Sequence, residues 1–272
     1  MQKFARYNLL KVLPPFFFVT GLFVLALIKQ ATVTNILLAS LSGQLVASII
    51  RAGVAGKRLF HQSFSIFSEY GRRLAKQGLI FSMPALSGII LMSTDLAILI
   101  HLLSAEQVGF YSAAMAIALG QTGITSTLTQ VNFPRVSSIS RDQAKGILWR
   151  QFEKSILPII GMGIIVALCA PYIVRYLFGK SFLPALPIAY ILIGAISIWG
   201  ISQVLDNGLR GMGYGLPGAL ANGVGLVILI TTSLPFVRAL GGEGMAIALV
   251  LAQVSVVITL LICLRYLSRN NS

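Results

Sequence analysis

Eight apolar stretches, each about as long as a bilayer-spanning helix, follow one another along the 272 residues. They cover residues 12–28, 33–50, 79–103, 108–132, 156–178, 184–208, 214–237 and 244–264. A helix needs roughly 17–25 residues to cross a hydrocarbon core of about 30 Å. The runs are continuously apolar, not alternating, and a backbone in lipid must satisfy its own hydrogen bonds, so strands are excluded. The chain is therefore expected to be all-α, a polytopic membrane bundle of about eight transmembrane helices. With 56% apolar and only 10% charged residues, it lies far from a soluble domain.

The loops give the orientation. Lys3, Arg6 and Lys11 precede the first stretch, and Arg51, Lys57, Arg58, Arg72, Arg73 and Lys76 separate the second from the third. Arg135, Arg141, Lys145, Arg150 and Lys154 follow the fourth, Arg210 the sixth, and Arg265 and Arg269 the eighth. These all fall on one side of an alternating path, against Lys29, Arg175, Lys180 and Arg238 on the other. Positive charge marks the cytoplasmic face, so both termini are expected there. The net charge of +14 reads as anchoring near anionic lipid. A nucleic-acid partner is not expected, because the sequence offers no soluble domain to carry such a surface.

Catalytic motifs are missing from the sequence. It contains no GxxxxGK[ST] loop, no HExxH and no paired Cys/His cluster, so neither a cofactor nor a metal is expected. Gly211-Met-Gly213-Tyr-Gly215 follows a membrane helix and not a strand, and reads as a turn. A glycan-assembly enzyme would need acidic residues on a sizeable external loop, yet the chain has seven Asp plus Glu and short external loops. It is not expected to be an enzyme. Cys169 and Cys263 lie inside spans as packing residues, and His61 and His101 are isolated.

The longest polar stretch, residues 51–76, divides the chain into two spans and six. Within residues 140–155, Ile147, Leu148 and Phe152 fall at helical spacing. This segment either lies along the membrane surface, with Trp149 at headgroup level, or simply connects two spans. A faint repeat links the first two spans to the last two: Pro14 and Pro15 then Gln44, and Pro217 then Gln253. Transporters are often built from duplicated halves.

Several stretches carry a family resemblance. RYLFGKSFLPALPIAYILIGA (175–195) combines a Leu-Phe-Gly helix exit with a Pro-rich entry to the next helix. FARYNLLKVLPPFFFVTGLF (4–23), EYGRRLAKQGLIFSMPALSGIILMSTDLAIL (69–99), AEQVGFYSAAMAIA (105–118) and NFPRVSSI (132–139) accompany it. All five resemble the oligosaccharide (Wzx-type O-antigen) flippases, a branch of the multidrug/oligosaccharidyl-lipid/polysaccharide flippase superfamily: 4–23 resembles the family's fifth helix, 69–99 the seventh, 105–118 the start of the eighth and 132–139 the exit from it. The resemblance covers nearly the whole chain. It implies two helical lobes around a central cavity that alternates between inward- and outward-open forms.

The same resemblance assigns residues 1–55 to the last two helices of an N-terminal lobe whose first four or so helices are missing. Residues 56–76 become a cytoplasmic inter-lobe loop and 77–272 a six-helix C-terminal lobe. The implied activity is flipping of a polyprenyl-pyrophosphate-linked oligosaccharide repeat unit across the cytoplasmic membrane, for surface polysaccharide biosynthesis. The implied partners are that lipid-linked oligosaccharide, membrane lipid and other glycan-assembly proteins. A multidrug/cation antiporter of the same superfamily and a truncated, non-transporting fragment are the alternatives.

Asp95 stands out among the candidate cavity residues. A carboxylate inside a spanning helix costs about 2.5–3.5 kcal/mol on insertion scales, so it should face protein or water. It reads as a cavity charge or coupling-ion site, or as a structural bridge, with Arg175 as its candidate partner. Arg72, Arg73 and Lys76, at the cytoplasmic start of the third span, suit either a funnel for an anionic headgroup or ordinary anchoring. Asp206 and Arg210 are spaced for an i,i+4 pair.

Overall fold

The polar stretch between the second and third apolar runs is helical at both ends. A computed structural model of the chain describes residues 32–59, 69–137 and 141–269, with scattered positions between 13 and 28. It places α1 over Val33–Leu59 and α2 over Glu69–Leu102. Lys3, Arg6, Lys11, Pro14, Pro15 and His61 lie outside the described residues, as do the side chains of Arg51, Lys57, Arg58, Arg135, Arg141 and Lys145. The chain forms two units, Met1–Ala75 and Lys76–Ser272.

In the first unit the buried positions of α1 are small. Gly43 and Ala47 are buried, while Leu37, Leu41, Leu45 and Ile49 turn outward. Small residues inside and branched apolar residues outside is the division expected in lipid, where close packing holds helices together.

The second unit contains most of α2 and everything after it. The succeeding helices are α3 (Ala105–Leu119), α4 (Thr122–Ser137), α5 (Arg141–Ile173), α6 (Ala185–Gly211) and α7 (Leu216–Arg269). A π turn, Val174–Phe178, closes α5, and a 3₁₀ turn, Lys180–Phe182, leads towards α6. Gly241 bends α7 into two arms with φ 58° and ψ −130°, a backbone conformation that residues with a β-carbon rarely adopt. The stretches Gly71–Leu102, Gly146–Phe178, Ala185–Gly211 and Leu216–Leu267 are long and apolar enough to cross a membrane, the last of them twice. The protein is an all-α, multi-pass membrane helix bundle.

At the centre of this unit is α6, packed against α3, α4, α5 and α7. Its inward positions Ala185, Ala189, Ala195, Gly200, Ser202 and Gly208 are small, which lets four neighbours approach one helix. On α5 the exposed Trp149 and Tyr172 stand 23 residues apart, about 35 Å along the axis. The α2–α3 turn, the α5–α6 turn and the α7 bend gather at one end, where the Phe110 and Phe182 rings meet edge-on at 5.5 Å.

Two sequence expectations need revision. Residues 108–132 are not one helix: the chain turns at Gly120–Gln121 between α3 and α4. There Gly120 N donates to Ile117 O at 3.0 Å, a tighter i,i+3 closure, and the Gln121 side chain reaches across to another helix. The second is a narrowing: of the two readings for residues 140–155, a surface helix or a connecting helix, residues 141–155 follow the connecting one. They are continuous with the span as part of α5, because Leu148 is fully buried against α6 at Gly208.

Candidate functional site

Asp95 sits two turns before the C-terminal end of α2 and is 2% exposed. Its Oδ2 accepts a hydrogen bond from the Tyr111 hydroxyl at 2.6 Å, and its Oδ1 accepts from Leu96 N at 2.7 Å. Tyr111 projects from α3, whose start is capped by Ser104 Oγ accepting from Gln107 N. The partner expected from sequence, Arg175, is exposed at the end of α5, and Asp95 bonds to Tyr111 instead. The physical reason is the tight α2–α3 hairpin, which brings a neutral donor to the carboxylate without a second charge entering the bilayer.

A groove of about 300 Å³ opens beside this pair, between α2 and α3. Ser93, Asp95, Tyr111 and Ser112 supply its polar atoms, and Met92 and Met115 part of its apolar wall. A carboxylate offers about four lone-pair positions, and Asp95 uses two of them within the protein. The groove therefore presents acceptor capacity to hydroxyls or to a cation, while the methionines give it a wall that adapts in shape.

A second polar seam lies deeper in the unit. The i,i+4 pair expected from sequence forms: Arg210 Nη2 stands 2.7 Å from Asp206 Oδ2 and also donates to Asn207 Oδ1 at 3.1 Å. On the first arm of α7, Gly218 lets the Asp206 carboxylate lie against the backbone, where a β-carbon would collide with Oδ1. One turn on, Asn222 Nδ2 donates to Pro84 O and to Ser87 Oγ of α2, each at 3.1 Å. At the α3–α4 turn Gln121 Nε2 donates to Ile193 O of α6 at 2.9 Å, and Ser197 Oγ donates back to Gln121 Oε1 at 3.0 Å. These bonds tie α2 to α7, and the α3–α4 turn to α6.

A family model described as polysaccharide biosynthesis protein matches residues 1–187. The chain belongs to that family. No curated protein and no solved structure matches it. In this polysaccharide biosynthesis protein the matched segment includes Asp95, Tyr111 and the whole α2–α3 groove, whereas Asp206 and Arg210 lie beyond it.

Of the remaining cations predicted from sequence, Lys76 and Arg210 belong to the second unit, and neither lines the groove. Arg72, Arg73 and Lys76 are exposed in the first turns of α2. Lys76 precedes Asp95 by nineteen residues, about 28 Å of helix, so the two cannot hold one group. Arg210 is engaged with Asp206, and its side chain is 19% exposed. Among the described residues no three His, Cys, Asp or Glu side chains are grouped to hold a metal. Sequence reasoning passed over Tyr111, Gln121 and Asn222, three polar residues inside apolar runs. Tyr111 carried the plainest signal, since it lies as far after Leu103 as Asp95 lies before it.

Proposed function

We propose that this polysaccharide biosynthesis protein carries a polyprenyl-pyrophosphate-linked oligosaccharide from the cytoplasmic to the outer leaflet of the cytoplasmic membrane, by alternating access, for surface polysaccharide assembly. The single observation behind this reading is the Asp95–Tyr111 groove, a polar recess in the membrane-spanning part of a polysaccharide-family bundle. The polyprenyl tail of such a substrate can remain in lipid while its headgroup moves along protein. Hydroxyl-rich glycan suits the spare acceptor positions of Asp95. The anionic pyrophosphate suits Lys76, about 28 Å from the groove along the helix.

The test is translocation of a fluorescent polyprenyl-pyrophosphate oligosaccharide in proteoliposomes. Wild-type protein should move the glycan to the opposite leaflet, and Asp95→Asn should slow that movement while inserting normally. Equal translocation by the variant, or none by the wild type, refutes the proposal. Proton- or sodium-coupled movement of cationic dyes by the wild type would support an antiporter instead.

A further inference from the structure

At the end of the second unit where three turns converge lies a cavity of about 220 Å³, separate from the groove at Asp95. Gln107 and Phe110 line it from α3, Ile188 from α6, and Gly241, Gly242 and Glu243 from the bend of α7. Its chemistry differs from that of the basic start of α2. Glu243 is the one charged side chain in the lining, so an anion is disfavoured. A lone carboxylate also gives a divalent cation too few ligands, since such ions take six or more oxygens.

We infer that this cavity is a saccharide subsite that takes one neutral sugar ring. Three features carry the inference. Glu243 and Gln107 both line the recess, which puts one acidic and one amide side chain in reach of a ring with adjacent hydroxyls. Phe110 adds an aromatic surface for the C–H face of the ring, and it is braced by its edge-on contact with Phe182 at 5.5 Å. The volume is below the 300–1,000 Å³ of pockets for drug-sized ligands, so it suits a single ring and not a chain. At the bend, Gly241 leaves the space beside its backbone open, whereas Gly242 packs against Ile188.

The inference rests on the reading that the protein handles a glycan. It adds a second contact point for that glycan, at the end of the bundle formed by the three turns.

Saturation-transfer NMR on the full chain in nanodiscs tests it, with glucose, galactose, rhamnose and N-acetylglucosamine as probes. At least one sugar should receive saturation, and excess inorganic pyrophosphate should not displace it. Glu243→Gln, which removes the charge at constant shape, should weaken that binding about tenfold, the difference between a charged and a neutral acceptor. Gln107→Ala, at an exposed position, should weaken it similarly without disturbing the fold. No transfer to any of the four sugars, displacement by pyrophosphate, or unchanged binding in both folded variants overturns the subsite. Sugar binding in a wild-type protein that moves no lipid-linked glycan would refute the translocation reading and leave the subsite standing. Translocation without sugar binding would do the reverse.

Discussion

The Tyr111 hydroxyl donates to Asp95 Oδ2 at 2.6 Å, and both side chains are all but removed from solvent. An acid within a membrane helix, two turns from its end, is thus held by a neutral donor from the next helix in the chain. This arrangement keeps net charge out of the lipid-facing surface and leaves part of the carboxylate turned toward a groove.

Tyr111→Phe keeps the ring and removes the donor. A hydrogen bond to a charged group contributes about 1.5–3 kcal/mol, and the variant should lose about that much stability in detergent-based unfolding. Translocation should fall with it. Unchanged stability would mean that the bond does not hold the hairpin.

Arg210→Met should be more damaging than its exposure suggests. It strands the Asp206 carboxylate, which is 5% exposed and already has one oxygen without a hydrogen bond among the described residues. Breaking a buried pair costs about 3–5 kcal/mol, and a side chain one-fifth exposed points to the lower end. The double variant Asp206→Asn/Arg210→Met should recover much of the loss. Thermal unfolding of the four proteins gives the coupling directly, and additive losses would reject it.

Gln121→Leu removes two cross-helix bonds at once, one to Ile193 O and one from Ser197. Each is worth about 1 kcal/mol in membranes, so a loss of about 2 kcal/mol is expected. Because Gln121 sits at the break between α3 and α4, amide exchange there should quicken in the variant. Unaltered exchange would show that the turn does not depend on the side chain.

Cysteine labelling checks orientation. With Cys169 and Cys263 replaced, Gln62→Cys should react from the cytoplasmic side and Leu240→Cys from the opposite side, as the distribution of basic residues requires. Labelling of both from one side would reject the proposed topology.

The architecture was legible because length and continuous hydrophobicity are properties of single segments. The Asp206–Arg210 pair was legible for the same reason, since both partners occupy one helix. What escaped were relations between segments. Nothing in the run 108–132 announces a break except a Gly beside a Gln, and Gly is common enough in membrane helices to pass unnoticed. Asn222 bonds across to Pro84 in α2, 138 residues earlier in the chain, a pairing that no local pattern encodes. Opposite charge makes Arg175 a candidate partner for Asp95, but the hairpin delivers the Tyr111 hydroxyl.

Where each buried acid finds its partner also bears on how the protein is made. Asp206 meets Arg210 one turn further along its own helix, so α6 can enter the bilayer already neutralised as an internal pair. Asp95 has no such partner within α2 and must wait sixteen residues for Tyr111. A ribosome paused before Tyr111 emerges leaves that acid bare, and α2 should then leave the membrane readily on alkaline extraction. Once α3 has followed, the two should stay as one hairpin. Biogenesis of this region is therefore expected to proceed by helix pairs, with residue 111 as the point at which α2 becomes committed to lipid.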